Sequence, residues 1–481
     1  MLFCALCLDF RFYLIIFVCN IWKVTVSLSE MDWFTYSEFA IKATVVAYLA
    51  ATGLYLLYLA RRSDAVSKLA AVATIIGAVL HTIGLTFRWI EGGWSHPPFT
   101  NMYESLIFFA WGIAVFYLIV LWKYKLKSGG AFILPIALGA MGAAILNPAS
   151  SKEIQDLMPA LQSHWLHAHV AIAAMAYAAF VAAFGTSMMF LLKDKVERKY
   201  LGMAANIFMA FMLLVSDRLA IITDSLFTLN LVTAKGQVTG DVAPLTGPGR
   251  ALLIAVIYFI IAAVLYYMRK EPEQLGEEER PGTILGMPYA PFVTMLGVLT
   301  TGIGLALLAR ASLMDPGQLS EMVAKTDPRL AGFIRQNEMH IALFGNPFKI
   351  IIICLVIFVG GAAVFMDMKL DWVREVMPEA KRLDNMSYMI ITIAFPLMTM
   401  VIITGAVWAK YAFGEYWQWD PKETASLITW IIYTAYFHAR MSLNWSPRRT
   451  AVISIIGFAS VVFTYLGVNA IGTGYHAYAS F

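Results

Sequence analysis

With 481 residues, 60% of them hydrophobic and only 14% charged, and a mean hydropathy of +0.70, the chain is excluded from the water-soluble globular class, where roughly a quarter of residues carry charge. A net charge of +4, scattered along the chain, excludes a nucleic-acid surface. Four cysteines, three crowded at Cys4, Cys7 and Cys19 and the fourth, Cys354, inside an apolar run, form no disulfide framework, and Cys4-Ala-Leu-Cys7 lacks the βαβ context of a redox motif.

In chain order, residues 1–30 come first as an irregular extension. Asp9 and Arg11 precede an apolar run, Phe12–Trp22, that is too short to span a bilayer and lacks the basic front of a signal peptide. Met31-Asp-Trp-Phe reads as a second start, so the extension looks like an over-extended one. From there the pattern predicts an all-α integral membrane protein, a polytopic bundle of about twelve transmembrane helices. The runs are 43–60, 69–87, 103–122, 130–147, 166–192, 201–216, 251–268, 287–309, 348–366, 387–409, 424–439 and 451–470. At a rise of about 1.5 Å per residue, each approaches a hydrocarbon core of about 30 Å.

Basic residues orient the bundle. Clusters at Arg61-Arg62-Lys68, Lys123/Lys125/Lys127, Lys193/Lys195/Arg198/Lys199, Arg269-Lys270, Lys369/Arg374/Lys381/Arg382 and Arg440/Arg448/Arg449 fall after every second run. All of them can therefore face the cytoplasm. Segments 88–102, 148–165, 217–250, 310–347, 410–423 and 471–481 are then outer. The sixth run is short, broken by Ser216-Asp217-Arg218, and followed by an amphipathic stretch, Leu219–Val232. The acidic segment Glu271–Arg280 falls on the cytoplasmic side, and no internal repeat is visible.

Six of the eight histidines, His96, His164, His167, His169, His340 and His476, lie in or beside outer segments. His164-Trp-Leu-His167-Ala-His169 sits where the fifth helix enters the membrane, and Gly474-Tyr475-His476 follows the twelfth. Two imidazoles offered from different helix ends on one side can close on opposite faces of one iron, as bis-histidine haem ligation requires. Simple hydrogen bonding at headgroup level is the bland alternative.

Between the tenth and eleventh helices, Trp408, Tyr411, Phe413, Tyr416, Trp417 and Trp419 crowd into a dozen positions ahead of Asp420-Pro-Lys-Glu423. An interfacial aromatic belt places one or two such rings per helix end. This density suits a large planar apolar guest with anionic edges, such as a porphyrin, with Lys422 or Arg88 available to a propionate. Asp420 and Pro421 also read as the N-cap and first residue of a helix, which would pin the aromatic surface in place. His438 and His81 lie at membrane depth, where an ionisable side chain is a functional candidate by default. Glu104, in the first turn after Asn101, is accounted for by the helix dipole. No phosphate loop, zinc-type spacing, HExxH or GxSxG is present, so the sequence offers no catalytic residue of those classes.

Trp408 with Gly414-Glu-Tyr-Trp-Gln-Trp-Asp-Pro-Lys-Glu-Thr424 resembles the WWD signature of haem-handling cytochrome c biogenesis proteins, specifically the CcsA/ResC family of the system II pathway. His81-Thr-Ile-Gly with Arg88-Trp89 and Asn101-Met-Tyr-Glu-Ser-Leu106, Leu161-Gln-Ser-His-Trp-Leu with His169-Val170, and Gly474-Tyr-His-Ala-Tyr478 resemble further segments of that family, in its order. The resemblance implies that haem b, as transported substrate, is held at the outer face beside the WWD loop by His169 and His476. Phe413, Trp408, Trp417, Trp419 and Asp420 would form the binding surface. It implies that His438 serves an earlier, membrane-embedded haem site completed by the companion membrane subunit CcsB/ResB. The resulting complex would be a cytochrome c haem lyase (synthase) that attaches haem to the CxxCH of apocytochromes c, with a thioredoxin-like thiol-reducing protein as a further partner. The implied setting is the bacterial cytoplasmic membrane, with the haem site on its periplasmic face. Phe413 stands where the family has the first Trp of the motif, keeping a ring but losing the indole N–H.

The family core would comprise 31–200 and 371–481, with 201–370 an inserted four-helix region that matches nothing in the resemblance. A system I haem-handling protein shares the WWD loop and is the near alternative. A transporter whose aromatic loop is a gate is the distant one, disfavoured because Pro135 and Pro396 are isolated breaks without repeat symmetry.

Overall fold

The structure, a computed structural model, describes residues 32–93, 96–146, 162–194, 196–216, 221, 226–233, 238–269, 283–341, 343 and 347–467. The extension 1–30, the acidic segment and His476 lie outside the described residues. The chain is a multi-pass helical membrane protein. Its first five long helices are α1 (Trp33–Arg61), α2 (Asp64–Gly92), α3 (Met102–Tyr124), α4 (Gly130–Leu146) and α5 (His164–Lys193). Then come α6 (Arg198–Ser216), α7 (Thr246–Met268), α8 (Tyr289–Ser312), the short α9 (Pro316–Ala324) and α10 (Pro328–Gln336), and α11 (Pro347–Val376). The last three are α12 (Ala380–Phe413), α13 (Pro421–Phe437) and α14 (Pro447–Val462), the latter two running on into π-helical turns at His438–Ser442 and Phe463–Gly467.

Within the described residues, every apolar run expected from the sequence is helical. Among the described residues, ten helices are long and apolar enough to cross a membrane.

Two hydrophobic cores divide the molecule. One joins α1 to α5 with the C-terminal part of α11 and with α12 to α14; the other joins α6, α7, α8 and the N-terminal part of α11. In lipid, helix association rests on close packing and interhelical hydrogen bonds rather than on expulsion of water. Accordingly, α5 buries an alanine-rich stretch, Ala176 and Ala178–Ala183 among its members, against its neighbours. Ser187 on α5 donates to Ser387 on α12 (3.2 Å) or Ser454 on α14 (3.0 Å), and Ser387 donates to Thr186 (2.8 Å), all four being buried.

A small sheet caps the second core, where the sequence suggested an amphipathic stretch at 219–232. Strands β1 (Phe227–Val232), β2 (Val238–Leu245) and β5 (His340–Ile341) pair antiparallel in the order β2-β1-β5; β3 (Thr283–Ile284) and β4 (Met287–Pro288) form a separate hairpin. Phe227, Leu229 and Leu231 alternate inward, the period-two pattern of a strand with one covered face. Helices α9 and α10 pack beside it, each opened by an Asp N-cap followed by Pro, at Asp315 and Asp327. Lys349 of α11 ties the sheet to the bundle, donating to the Thr228 carbonyl (3.0 Å) and hydroxyl (2.7 Å).

Candidate functional site

The entrance of α5, the end of α12, the start of α13 and the end of α14 enclose a mostly apolar cavity with about 1050 Å³ of empty space, its open mouth included. His169, Trp408, Trp417 and Lys422 are in its wall, with Phe108, Tyr177 and Tyr465 deeper. A cavity of this size with a few fixed polar groups is the ordinary form of a site for a bulky apolar guest.

His169 is held from behind. Its Nδ1 hydrogen-bonds the Val401 carbonyl at 2.9 Å. A carbonyl only accepts, so Nδ1 carries the proton and Nε2 holds the lone pair that can ligate a metal. The Trp408 indole stacks nearly parallel to the imidazole, 18° apart with centroids 6.4 Å apart, and Phe413 meets that indole edge-on at 5.4 Å. Gly405, one turn of α12 away, leaves room for the ring: a Cβ there would stand 2.8 Å from the imidazole Cε1.

The loop from 414 to 420 is set by two caps. Gly414 ends α12 in the left-handed region (φ +89°), its N–H bonded to the Lys410 carbonyl. Asp420 caps α13, accepting from Lys422 N at 2.8 Å, and Glu423 completes a capping box. The same Glu423 oxygen accepts from Gln418 N (2.8 Å) and Asp420 N (3.2 Å), straddling Trp419. Trp419 adopts φ +57°, an uncommon conformation for a bulky residue and one that persists only where neighbours over-determine it.

These contacts sort the aromatic residues. Trp408 and Trp417 line the cavity; Phe413 buttresses Trp408; Trp419 is 71% exposed and meets Trp417 edge-on at 5.9 Å. Asp420 is buried as a cap. Arg88, an alternative partner for an anionic edge on sequence grounds, is instead committed within the protein. Its Nε donates to Glu104 at 2.7 Å, both side chains are buried, and its guanidinium lies over the Phe34 and Tyr103 rings. Glu104 also accepts from Thr100 N and Oγ1, and that hydroxyl accepts in turn from His96 Nε2 at 2.8 Å.

His438, exposed at the first position of a π turn, is about 27 Å along α13 from Asp420, given 1.5 Å per residue, and so belongs to a different place. His167 turns toward Phe99 and His164. His81 is fully buried beside Tyr48, 3.4 Å from its hydroxyl. Tyr465, hydrogen-bonded to Ser105 at 2.9 Å, and Gly405 are site members that sequence reasoning missed. A tyrosine near a helix end and a glycine inside an apolar helix carry no local signal.

The family model described as Cytochrome C assembly protein matches residues 99–476. A cytochrome c biogenesis protein CcsA of a Synechococcus species is 31% identical over 85% of this chain and 85% of its own. The CcsA protein of Gloeobacter violaceus is 28% identical over 91% and 94%. A solved chain titled Cytochrome c Heme Lyase CcmF aligns with 94% of this chain and 79% of its own, at 10% identity and a TM-score of 0.29, too loose an overlap to transfer any position.

Proposed function

The chain belongs to the cytochrome c assembly protein family, and from that premise we propose that it is the haem-handling subunit of a system II cytochrome c synthase. In this reading it moves haem b to the outer face of the bacterial cytoplasmic membrane and holds it there for covalent attachment to the CxxCH of apocytochromes c. The haem is the substrate, not a resident cofactor. CcsB/ResB is the companion subunit, and a thioredoxin-like protein keeps the apocytochrome thiols reduced.

The observation that carries the reading is His169, fixed at a cavity wall with Nδ1 tied to a backbone carbonyl and its ring stacked on Trp408. That is how a metal-ligating histidine is oriented and made more basic. The donor chemistry suits the guest: an imidazole for iron, indole faces for the porphyrin, and the Lys422 ammonium for a propionate. His476, on the segment after α14, is the second axial ligand in this reading. His438 supplies one ligand of the earlier site, where its exposure suits a ligand pair completed by another chain.

The chain's own part in the reaction is to orient, exclude water and hold the iron. The thioether bonds form between haem vinyl groups and cysteine thiols of the incoming protein. Haem content tests the reading: the detergent-purified chain is expected to carry haem that falls at least about 10-fold in the His169→Ala, His476→Ala double variant. Equal haem in the double variant would overturn the assignment.

A further inference from the structure

At the end of the second core remote from the sheet, the start of α6, the C-terminus of α7, the β3–β4 hairpin and the C-terminal part of α11 meet around an open pocket with about 400 Å³ of empty space, its mouth included. It is lined by Arg198, Arg269, Gly286, Pro288, Asp367 and Met368. We propose that this is a binding site for a phosphate group, of a lipid headgroup or of a soluble phosphate.

The charge balance and the hydrogen bonds carry the proposal. Arg269 spends only Nη1 on Asp367, at 2.8 and 3.0 Å to the two carboxylate oxygens. Its Nε is buried and donates to no acceptor, although the side chain is only 10% exposed. A buried guanidinium N–H without an acceptor costs more than a neutral donor would, and natural structures rarely leave one so. The Tyr266 hydroxyl lies within electrostatic reach of Asp367, Arg269 and Arg198. The orphaned Arg269 Nε–H at this lining calls for an acceptor-rich guest.

The cluster also has charge to spare. Arg198 gives Nη1 to the Asp367 carbonyl (2.9 Å) and Nη2 to Asp371 (2.7 Å); Arg374 stands 3.7 Å from the same carboxylate. Three guanidiniums thus face two carboxylates, and Asp371, 78% exposed, is screened by water. A phosphate offers several strong acceptor oxygens to a guanidinium fork. Because the basic clusters mark this end of the bundle as cytoplasmic, an anionic lipid of that leaflet is within reach of the cavity.

The test is the thermal unfolding midpoint of the full chain, followed by tryptophan fluorescence. Three conditions are compared: maltoside micelles alone, which carry no phosphate, maltoside micelles containing phosphatidylglycerol, and maltoside micelles with millimolar inorganic phosphate. A group that binds only the folded state raises the midpoint, here by about 2 °C or more. A rise with phosphatidylglycerol alone identifies the lipid headgroup, and a rise with inorganic phosphate identifies the soluble anion. In either case Arg269→Lys, which keeps the charge opposite Asp367 but removes the Nε donor and the fork, is expected to abolish the rise. Met368→Trp, which leaves both guanidiniums and fills the cavity from its half-exposed side, is expected to do the same, and serves should the first variant fold poorly. No rise in the wild type, or rises of equal size in wild type and Met368→Trp, overturns the proposal.

Discussion

Gly405 faces the imidazole of His169 so closely that any Cβ at that position would stand 2.8 Å from Cε1 and 3.0 Å from Nδ1. The contact is with the ring of a side chain that Val401 already holds from behind, so the imidazole has nowhere to retreat without losing its 2.9 Å bond. Gly405→Ala is expected to swing the ring, loosen the iron and cut haem content roughly 10-fold, with little change in protein yield. Haem-to-protein ratio by absorbance checks it; an unchanged ratio would show that the ring orientation is unimportant.

Glu423 clamps the aromatic loop by gripping the N–H groups on both sides of Trp419. Glu423→Ala removes both bonds and half the capping box, a loss of about 1–3 kcal/mol localised to the loop. Trp419 then leaves its left-handed conformation. Faster proteolytic cleavage between 414 and 420, with global unfolding little changed, is the expected result, and equal cleavage rates would contradict it.

Arg88 and Glu104 form a structural pair, not a propionate contact. Breaking a buried, hydrogen-bonded ion pair from one side leaves an uncompensated charge, at a cost of about 3–5 kcal/mol. Glu104→Gln should lower the unfolding temperature clearly, while Arg88→Met with Glu104→Met together should recover much of the loss. If both forms unfold at the wild-type temperature, the pair is not holding α2 to α3.

Ala173 lines the cavity from α5. Ala173→Phe puts a ring where the guest would lie, one helical turn from His169. Loss of haem with retained monodispersity and a midpoint within a few degrees of wild type is expected. Full haem occupancy would mean that the guest lies elsewhere.

The helices were legible because their apolar runs are long, and Asp420-Pro421 because a cap followed by proline is a local signal that the structure repeats in full. His169 and Trp408 stand out in the sequence by type and position, and both lie in the wall of one cavity. What the sequence hid is non-local or too short to register. Arg88 finds Glu104 only when α2 folds back on α3, 16 residues on, which changes the reading of both side chains. The strand at Phe227–Val232 offers six residues of alternation, which also fit one face of a helix, and only its pairing with β2 and β5 decides between them. The aromatic cluster read as one surface, yet the left-handed Trp419 turns its ring outward while Trp417 stays at the cavity.

The most direct test of the central claim, that His169 ligates the iron of a haem held beside Trp408, is the reduced visible spectrum of His169→Gly with and without free imidazole. The account predicts the sharp, split bands of a low-spin bis-histidine haem in the wild type, their loss in the variant, and their return when imidazole enters the space the side chain left. A variant whose spectrum matches the wild type without imidazole would contradict it.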